Sequence, residues 1–150
     1  MPGVTAQVEQ ISEVTDEVVE AFGRLLPQLS RSAQPLDRAA VAAVADSPGS
    51  TVLVARGEGG LIIGMLTLVM FRIPTGLRAI IEDVVTDDAA RGQGVGTALT
   101  NEAIRIAQAA GVRTIDLTSR PSRVAAGRLY EKLGFKMRDT RVYRYLVDEA

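Results

Sequence analysis

After an alternating opening segment, the apolar positions of this chain follow a helical period, then a two-residue period, then a helical period again. Residues 5–11 alternate as an opening strand. Thr15 is a candidate N-cap, and Asp16 and Glu17 suit the first turn of a helix. Val18, Phe22, Leu25, Leu26 and Leu29 then fall on one helical face, with Pro27 predicting a kink or an end near Leu26. Gln34-Pro35 predicts a second helix start, lined by Leu36, Ala40, Val41 and Val44. Residues 46–50 read as a turn, 51–55 as a strand, 56–60 as a hairpin loop and 61–71 as the returning strand. A turn at 74–76 leads to a strand over 77–86. Such consecutive strands with short turns predict an antiparallel meander.

The pattern then changes. A helix over 95–110 is predicted to bury Val95, Leu99, Ala103, Ile106 and Ala110, with Gly111 as its stop. Residues 114–118 read as a buried strand, parallel to 77–86 by the right-handed crossover rule. Ser122 is a candidate cap for a last helix ending at Gly134, and 135–137 with 142–147 read as a final strand pair. No repeat, low-complexity stretch or linker interrupts the chain. The predicted fold is therefore α/β: a single domain over 1–150 with a mixed sheet, mostly antiparallel with one parallel βαβ unit, flanked by helices.

Composition acts mainly by exclusion. The chain has 150 residues, 47% of them apolar, which suits one packed domain. A net charge of −1 argues against nucleic acid or a membrane surface as partner. Cysteine and histidine are absent, which removes thiolate nucleophiles, zinc–thiolate sites, the commonest general base and the commonest metal ligand. A Ser-His-Asp or Cys-His hydrolase is excluded, and no metal is expected. The start of the chain has no signal-peptide pattern, and the apolar run at 61–71 is too short to span a bilayer, so a cytoplasmic location is expected.

The densest chemical signal lies at 84–99, where an apolar strand, an acidic turn, an Arg-Gly-rich loop and a helix start follow one another. Backbone N–H groups and the helix dipole converge there on one anion. Gly92, Gly94 and Gly96 let a phosphate approach the backbone, and Arg91 adds a full charge. Thr97-Ala98 after Gly96 lacks the Lys-Ser/Thr pair of a nucleoside-triphosphate loop. A dinucleotide loop wants glycine where Thr97 stands, although Asp116 lies where a ribose-binding acid would sit.

The spacing Arg91-x-x-Gly94-x-Gly96 after an apolar strand resembles the pyrophosphate loop of the GNAT superfamily of N-acetyltransferases. The segment 122–135, with Ala126, Leu129-Tyr130 and Gly134-Phe135, resembles a later helix of that superfamily. The resemblance covers residues 60–147. It implies acetyl-CoA as co-substrate, held at its pyrophosphate by the N–H groups of Gly92, Gln93, Gly94, Val95, Gly96 and Thr97 with Arg91 assisting. It implies that two central strands splay apart, with main-chain groups of Val84 and Val85 pairing with the pantetheine arm. Arg123, clustered with Arg120 and Arg128, is a candidate for the 3′-phosphate; many relatives carry asparagine where Arg123 stands. The resemblance implies a primary amine as acceptor, small or on a protein, with its pocket drawn from the first helices and the late hairpin. A homodimer follows from family habit alone.

Thioester-to-amine transfer needs a neutral amine, an oxyanion donor, a proton for the leaving thiolate and in-line positioning. Direct attack in a ternary complex needs no enzyme nucleophile. Tyr130 reads either as a core aromatic or as the general acid, the role the resemblance implies. Glu82 is the candidate base, with neighbouring Asp83 the alternative, or both pair with Arg78 or Arg113. Adjacent strand residues point to opposite faces, so only one of the two carboxylates is expected in a given cleft. Tyr143 and Tyr145 read as sheet packing, and Asp87 and Asp88 as turn residues. Two other classes stay open: a non-catalytic acyl-CoA-binding regulatory module and a dinucleotide-binding oxidoreductase.

Overall fold

The computed structural model of the chain describes residues 6–148. It divides into two compact units, one running to Thr118 and one starting at Ser119. The first unit contains β1 (Gln7–Gln10), α1 (Asp16–Leu29), α2 (Arg38–Ala45), β2 (Ser50–Arg56), β3 (Ile62–Ile73), β4 (Gly76–Thr86), α3 (Val95–Ala110) and β5 (Thr114–Asp116). Strand order in the sheet equals chain order. β1 to β4 run antiparallel, and β5 adds to β4 in parallel through α3. This is the mixed sheet with one parallel βαβ unit that the periodicity predicts. The second unit contains one helix, α4 (Val124–Lys132).

Both faces of the sheet are covered because its strands alternate two apolar sets. Val18, Ala21, Phe22 and Leu25 of α1 and Val41 of α2 pack on Val52, Val54, Met65 and Val85. The opposite pleat presents Leu53, Leu66, Leu68 and Ile81, all buried, and α3 packs on β2, β3 and β4. Two side-chain caps set the early helix starts. Thr15 Oγ1 accepts from Val18 N–H at 3.3 Å, and Asp37 Oδ1 accepts from Ala40 N–H at 2.8 Å.

Several elements differ from the sequence pattern. α1 continues past Pro27 to Leu29, because the ring removes only its own N–H and Ser30 N–H still closes the last turn on Leu26 O at 3.0 Å. α2 starts at Arg38 rather than near Pro35, where the Asp37 cap fixes the first turn. α3 buries Val95, Leu99, Thr100, Ala103 and Ala107, a four-residue stride that leaves Ile106 half-buried and Ala110 exposed. β5 is short and largely exposed instead of buried, since no strand lies on its far side among the described residues. Arg123, not Ser122, is the N-cap of α4, and it makes no side-chain cap bond. The strand pair over 135–137 and 142–147 is not formed, and Tyr143 and Tyr145 are exposed rather than packed. The opening strand is observed as β1; Thr5 lies outside the described residues.

One close approach holds α3 against the sheet. A Cβ on Gly64 of β3 would lie 2.6 Å from Val95 Cγ1 and 3.2 Å from Leu99 Cδ1. The start of α3 therefore sits directly on the glycine. Gly64→Ala is expected to destabilise the protein by about 1–3 kcal/mol through overpacking, read as a lowered midpoint in urea unfolding at unchanged m.

Candidate active site

β4 is where pairing, backbone shape and loop geometry meet. Its outer edge pairs with β5 only over Arg78, Ala79 and Ile80. From Ile81 to Thr86 that edge has no strand partner among the described residues. On the inner edge the register with β3 shifts: Thr67 faces Glu82, but Met65 faces Val85. Asp83 and Val84 together oppose the single residue Leu66, which is a β-bulge. Because cross-strand partners share a face, the bulge turns Glu82 and Val85 to the same side although they are three apart. Asp83 carries the strain, at φ 51°, the only non-glycine positive φ among the described residues.

After β4 the chain forms a single 3-10 turn, Asp88–Ala90, then the loop 91–94 and α3. Asp87 is the hub of this corner. Its N–H donates to Ile63 O at 2.8 Å, its Oδ1 accepts from Ala89 N–H at 3.1 Å, and its Oδ2 pairs with Arg24 Nη1 of α1 at 3.0 Å. Gln28 of α1 completes the tie: its Oε1 accepts from Asp88 N–H at 2.7 Å. Asp87 and Asp88 are thus turn residues, as their position predicts, and α1 anchors them.

The loop itself is open and presents backbone N–H groups without helical partners. Gly92 and Gly94 both sit at φ 79°, and a Cβ on either would meet nothing within 4 Å, so the space above the backbone is open. Gly94 is the N-cap of α3 and offers no side-chain acceptor. The first intrahelical bond runs from Ala98 N–H to Gly94 O at 3.0 Å, which leaves the N–H groups of Val95, Gly96 and Thr97 ahead of it without helical partners. No acidic side chain occupies the first turn. Arg91 pairs with Asp88 at 2.9 Å, with about two-thirds of both side chains exposed. A pair this exposed is weak, so the guanidinium can turn to a phosphate at little cost.

Two clefts flank these elements. One, of about 250 Å³, lies beside the loop and is lined by Leu61, Ile63, Asp87, Ala90 and Gln93 among others. The other, of about 270 Å³, opens between the α1 and α2 segments and β3, and Asp83 lines it while Glu82 does not. Both carboxylates are exposed, and neither makes an ion pair among the described residues. Arg78 and Arg113 turn instead to the β3–β4 hairpin. Arg78 donates to Thr75 Oγ1 at 3.1 Å, and Arg113 to Thr75 O at 2.6 Å.

Residues 13–135 match the model of the acetyltransferase (GNAT) family. The chain belongs to this family. Solved structures agree. A transcriptional regulator from Bacillus halodurans is 30% identical over 95% of this chain and 100% of its own, with a TM-score of 0.77. An acetyltransferase from Trypanosoma brucei is 27% identical over 95% of this chain and all of its own 100%, with a TM-score of 0.76. An aminoglycoside N-acetyltransferase in complex with CoA shares the fold at 15% identity, over 97% of each chain, with a TM-score of 0.78. No curated protein matches the sequence.

In this member of the GNAT family, Tyr130 and the arginines at 120, 123 and 128 lie in the second unit, and the other candidates in the first. Tyr130 is half-buried on α4, and its ring meets Phe135 edge-on at 5.8 Å and 69°. Burial pushes its phenol above the ordinary value, against a smaller lowering by the Arg123 charge. Phe135 N–H donates to Tyr130 O at 3.0 Å, and Gly134, at φ 103°, makes the turn that returns the phenylalanine. Arg120, Arg123 and Arg128 are exposed. Val84 is half-buried, Val85 is buried, and Asp116 is exposed at the end of β5. No group of three or more His, Cys, Asp or Glu that could hold a metal ion occurs among the described residues, and none of their helices is long and apolar enough to cross a membrane.

Sequence reasoning missed Arg24, Gln28 and Gly64, which hold the loop in place. Arg24 and Gln28 sit on the polar face of an amphipathic helix, where nothing in the pattern distinguishes them from solvated side chains. Arg24→Ala would leave Asp87, 15% exposed, without its charge partner. A loss of about 1–3 kcal/mol in urea unfolding is expected, with faster amide exchange over 88–94.

Proposed function

We propose that this chain is an acetyl-CoA-dependent N-acetyltransferase that moves the acetyl group to a primary amine by direct attack in a ternary complex, with residues 1–150 forming one such domain. The observation that carries the reading is the unpaired outer edge of β4 running straight into the uncapped start of α3. An extended arm ending in a pyrophosphate fits that sequence of groups. The arm takes main-chain bonds at Val84 and Val85, and the phosphates take N–H groups from Gly92 to Thr97 together with Arg91. Arg123 is assigned to the 3′-phosphate. The complex of a fold relative with CoA supports this ligand class. A dinucleotide loop wants glycine where Thr97 stands.

Acetyl-CoA supplies an activated carbonyl and a thiolate leaving group. The neutral amine attacks the carbonyl carbon, and a β4 N–H donates to the developing oxyanion. The nitrogen loses its proton to a carboxylate, Glu82 or Asp83, directly or through water. The C–S bond breaks as Tyr130 O–H donates to the sulfur, giving amide and free thiol; solvent reprotonates the phenoxide. Tyr130 suits this role because its raised pKa keeps the phenol protonated at neutral pH.

Titration calorimetry with acetyl-CoA, CoA, NADH and ATP is expected to show selective binding of the first two. Arg91→Glu should weaken CoA binding about tenfold or more, and unchanged affinity would remove the loop assignment. Tyr130→Phe should lower kcat about a hundredfold or more while CoA affinity holds. In the wild type, the acid limb is lost only as pH rises through the raised phenol pKa. The alkaline fall in kcat should therefore lie above about 10 and vanish in Tyr130→Phe. A regulatory module on the same scaffold is the second reading, favoured by the Bacillus halodurans relative described as a transcriptional regulator. It predicts CoA binding with no thiol release on any amine.

A further inference from the structure

The cleft of about 270 Å³ between the early helices and the sheet has a chemical character that names its occupant. Its walls are apolar: Phe22 and Leu26 from α1, Leu36 from the connection to α2, Val44 from α2, and Met65 from β3. Gln34 and Thr67 add neutral polar groups. Asp83 is its only ionisable lining residue. No cation among the described residues satisfies that carboxylate: the arginine–carboxylate pairs go to Glu9, Asp16, Glu17, Glu20, Asp87, Asp88 and Glu102.

The backbone points the same way. Asp83 sits at φ 51° in the bulge, a left-handed conformation that L side chains other than asparagine and aspartate rarely adopt. A regular strand would place Asp83 and Glu82 on opposite faces. Here the bulge brings Asp83 to the cleft, one residue before Val84, whose main chain is assigned to the thioester arm.

We infer that this cleft selects a small primary amine with an apolar body and one positive charge, and that Asp83 is the residue that binds its ammonium. The inference rests on the acetyltransferase reading and assigns the acceptor site within it. One carboxylate matches one ammonium, so an aminoglycoside or polyamine would bring charges with no partner. An amino sugar phosphate or a free amino acid would bring an anion to a cleft with no lysine or arginine in its lining. The volume lies just below the roughly 300–1,000 Å³ of drug-sized ligand pockets, which suits a small molecule.

The test uses the full chain and 2-phenylethylamine, spermidine, kanamycin, glucosamine 6-phosphate and a short peptide with a free leucine N-terminus. Calorimetry on the free and the CoA-saturated protein reads amine binding; thiol release reads transfer. 2-Phenylethylamine is expected to bind, and to give a kcat/KM about tenfold or more above the others. Asp83→Asn keeps the side-chain shape and the tolerance of positive φ. It should raise the amine KM or Kd about tenfold or more with CoA affinity unchanged. If that variant does not fold, Leu36→Arg, on a partly exposed connection, puts a like charge in the cleft and should give the same loss. Preference for any other member of the panel, no binding of 2-phenylethylamine, or unaltered amine affinity in the variants overturns the inference. Absence of CoA binding overturns the acetyltransferase reading instead, and the amine titration on the free protein then still decides the cleft.

Discussion

A β-strand has two hydrogen-bonding edges, and β4 shares both only as far as Ile80. The part of the candidate site that β4 carries follows from what happens beyond that residue. The outer edge is left open where β5 ends at Asp116, and the inner edge breaks register at Met65 and Thr67. The first leaves backbone groups available for an extended ligand. The second turns a carboxylate toward the early helices. Both occur within the last turns of the same strand, directly before the glycine loop.

The loop is then held by two kinds of force. On the sheet side the constraint is steric: α3 starts against a residue without a Cβ, so Val95 and Leu99 fix its first turns against β3 at Gly64, beside the backbone of Val85. On the α1 side it is polar: Arg24 and Gln28 occupy Asp87 and the N–H of Asp88. Neither depends on Arg91, whose own pair with Asp88 lies in solvent. The residue that carries the charge is therefore free to move, while the backbone that carries the N–H groups is not. That division suits a site that must recognise phosphate without reorganising its main chain.

Much of this was legible in the residues. The meander, the crossover helix and the Arg91 to Gly96 loop announce themselves through period and glycine spacing, because strands with one buried face must alternate and an open loop must shed side chains. The family resemblance rests on those residues and on the segment around Tyr130. What stayed hidden depended on pairing between distant segments. Neither Glu82 nor Asp83 shows in its local pattern which of them reaches a cleft, since a bulge is a mismatch of two strands and not a property of one. Arg24 looks like any exposed helix charge until Asp87 is placed beside it. The segment 142–147 alternates as well as any true strand, yet alternation needs a partner, and in the structure it has none among the described residues.

α1 faces two ways. Phe22 and Leu26 wall the apolar cleft, while Arg24 and Gln28, set half a turn round the helix, grip the corner that leads into the glycine loop. A helix is stiff along its length, so its two faces cannot be adjusted independently. Reshaping the cleft face to admit a different guest rotates the hand that holds the loop. In this molecule the walls of the cleft and the tie to the glycine loop lie on opposite sides of one helix, and variation in the first is constrained by the second.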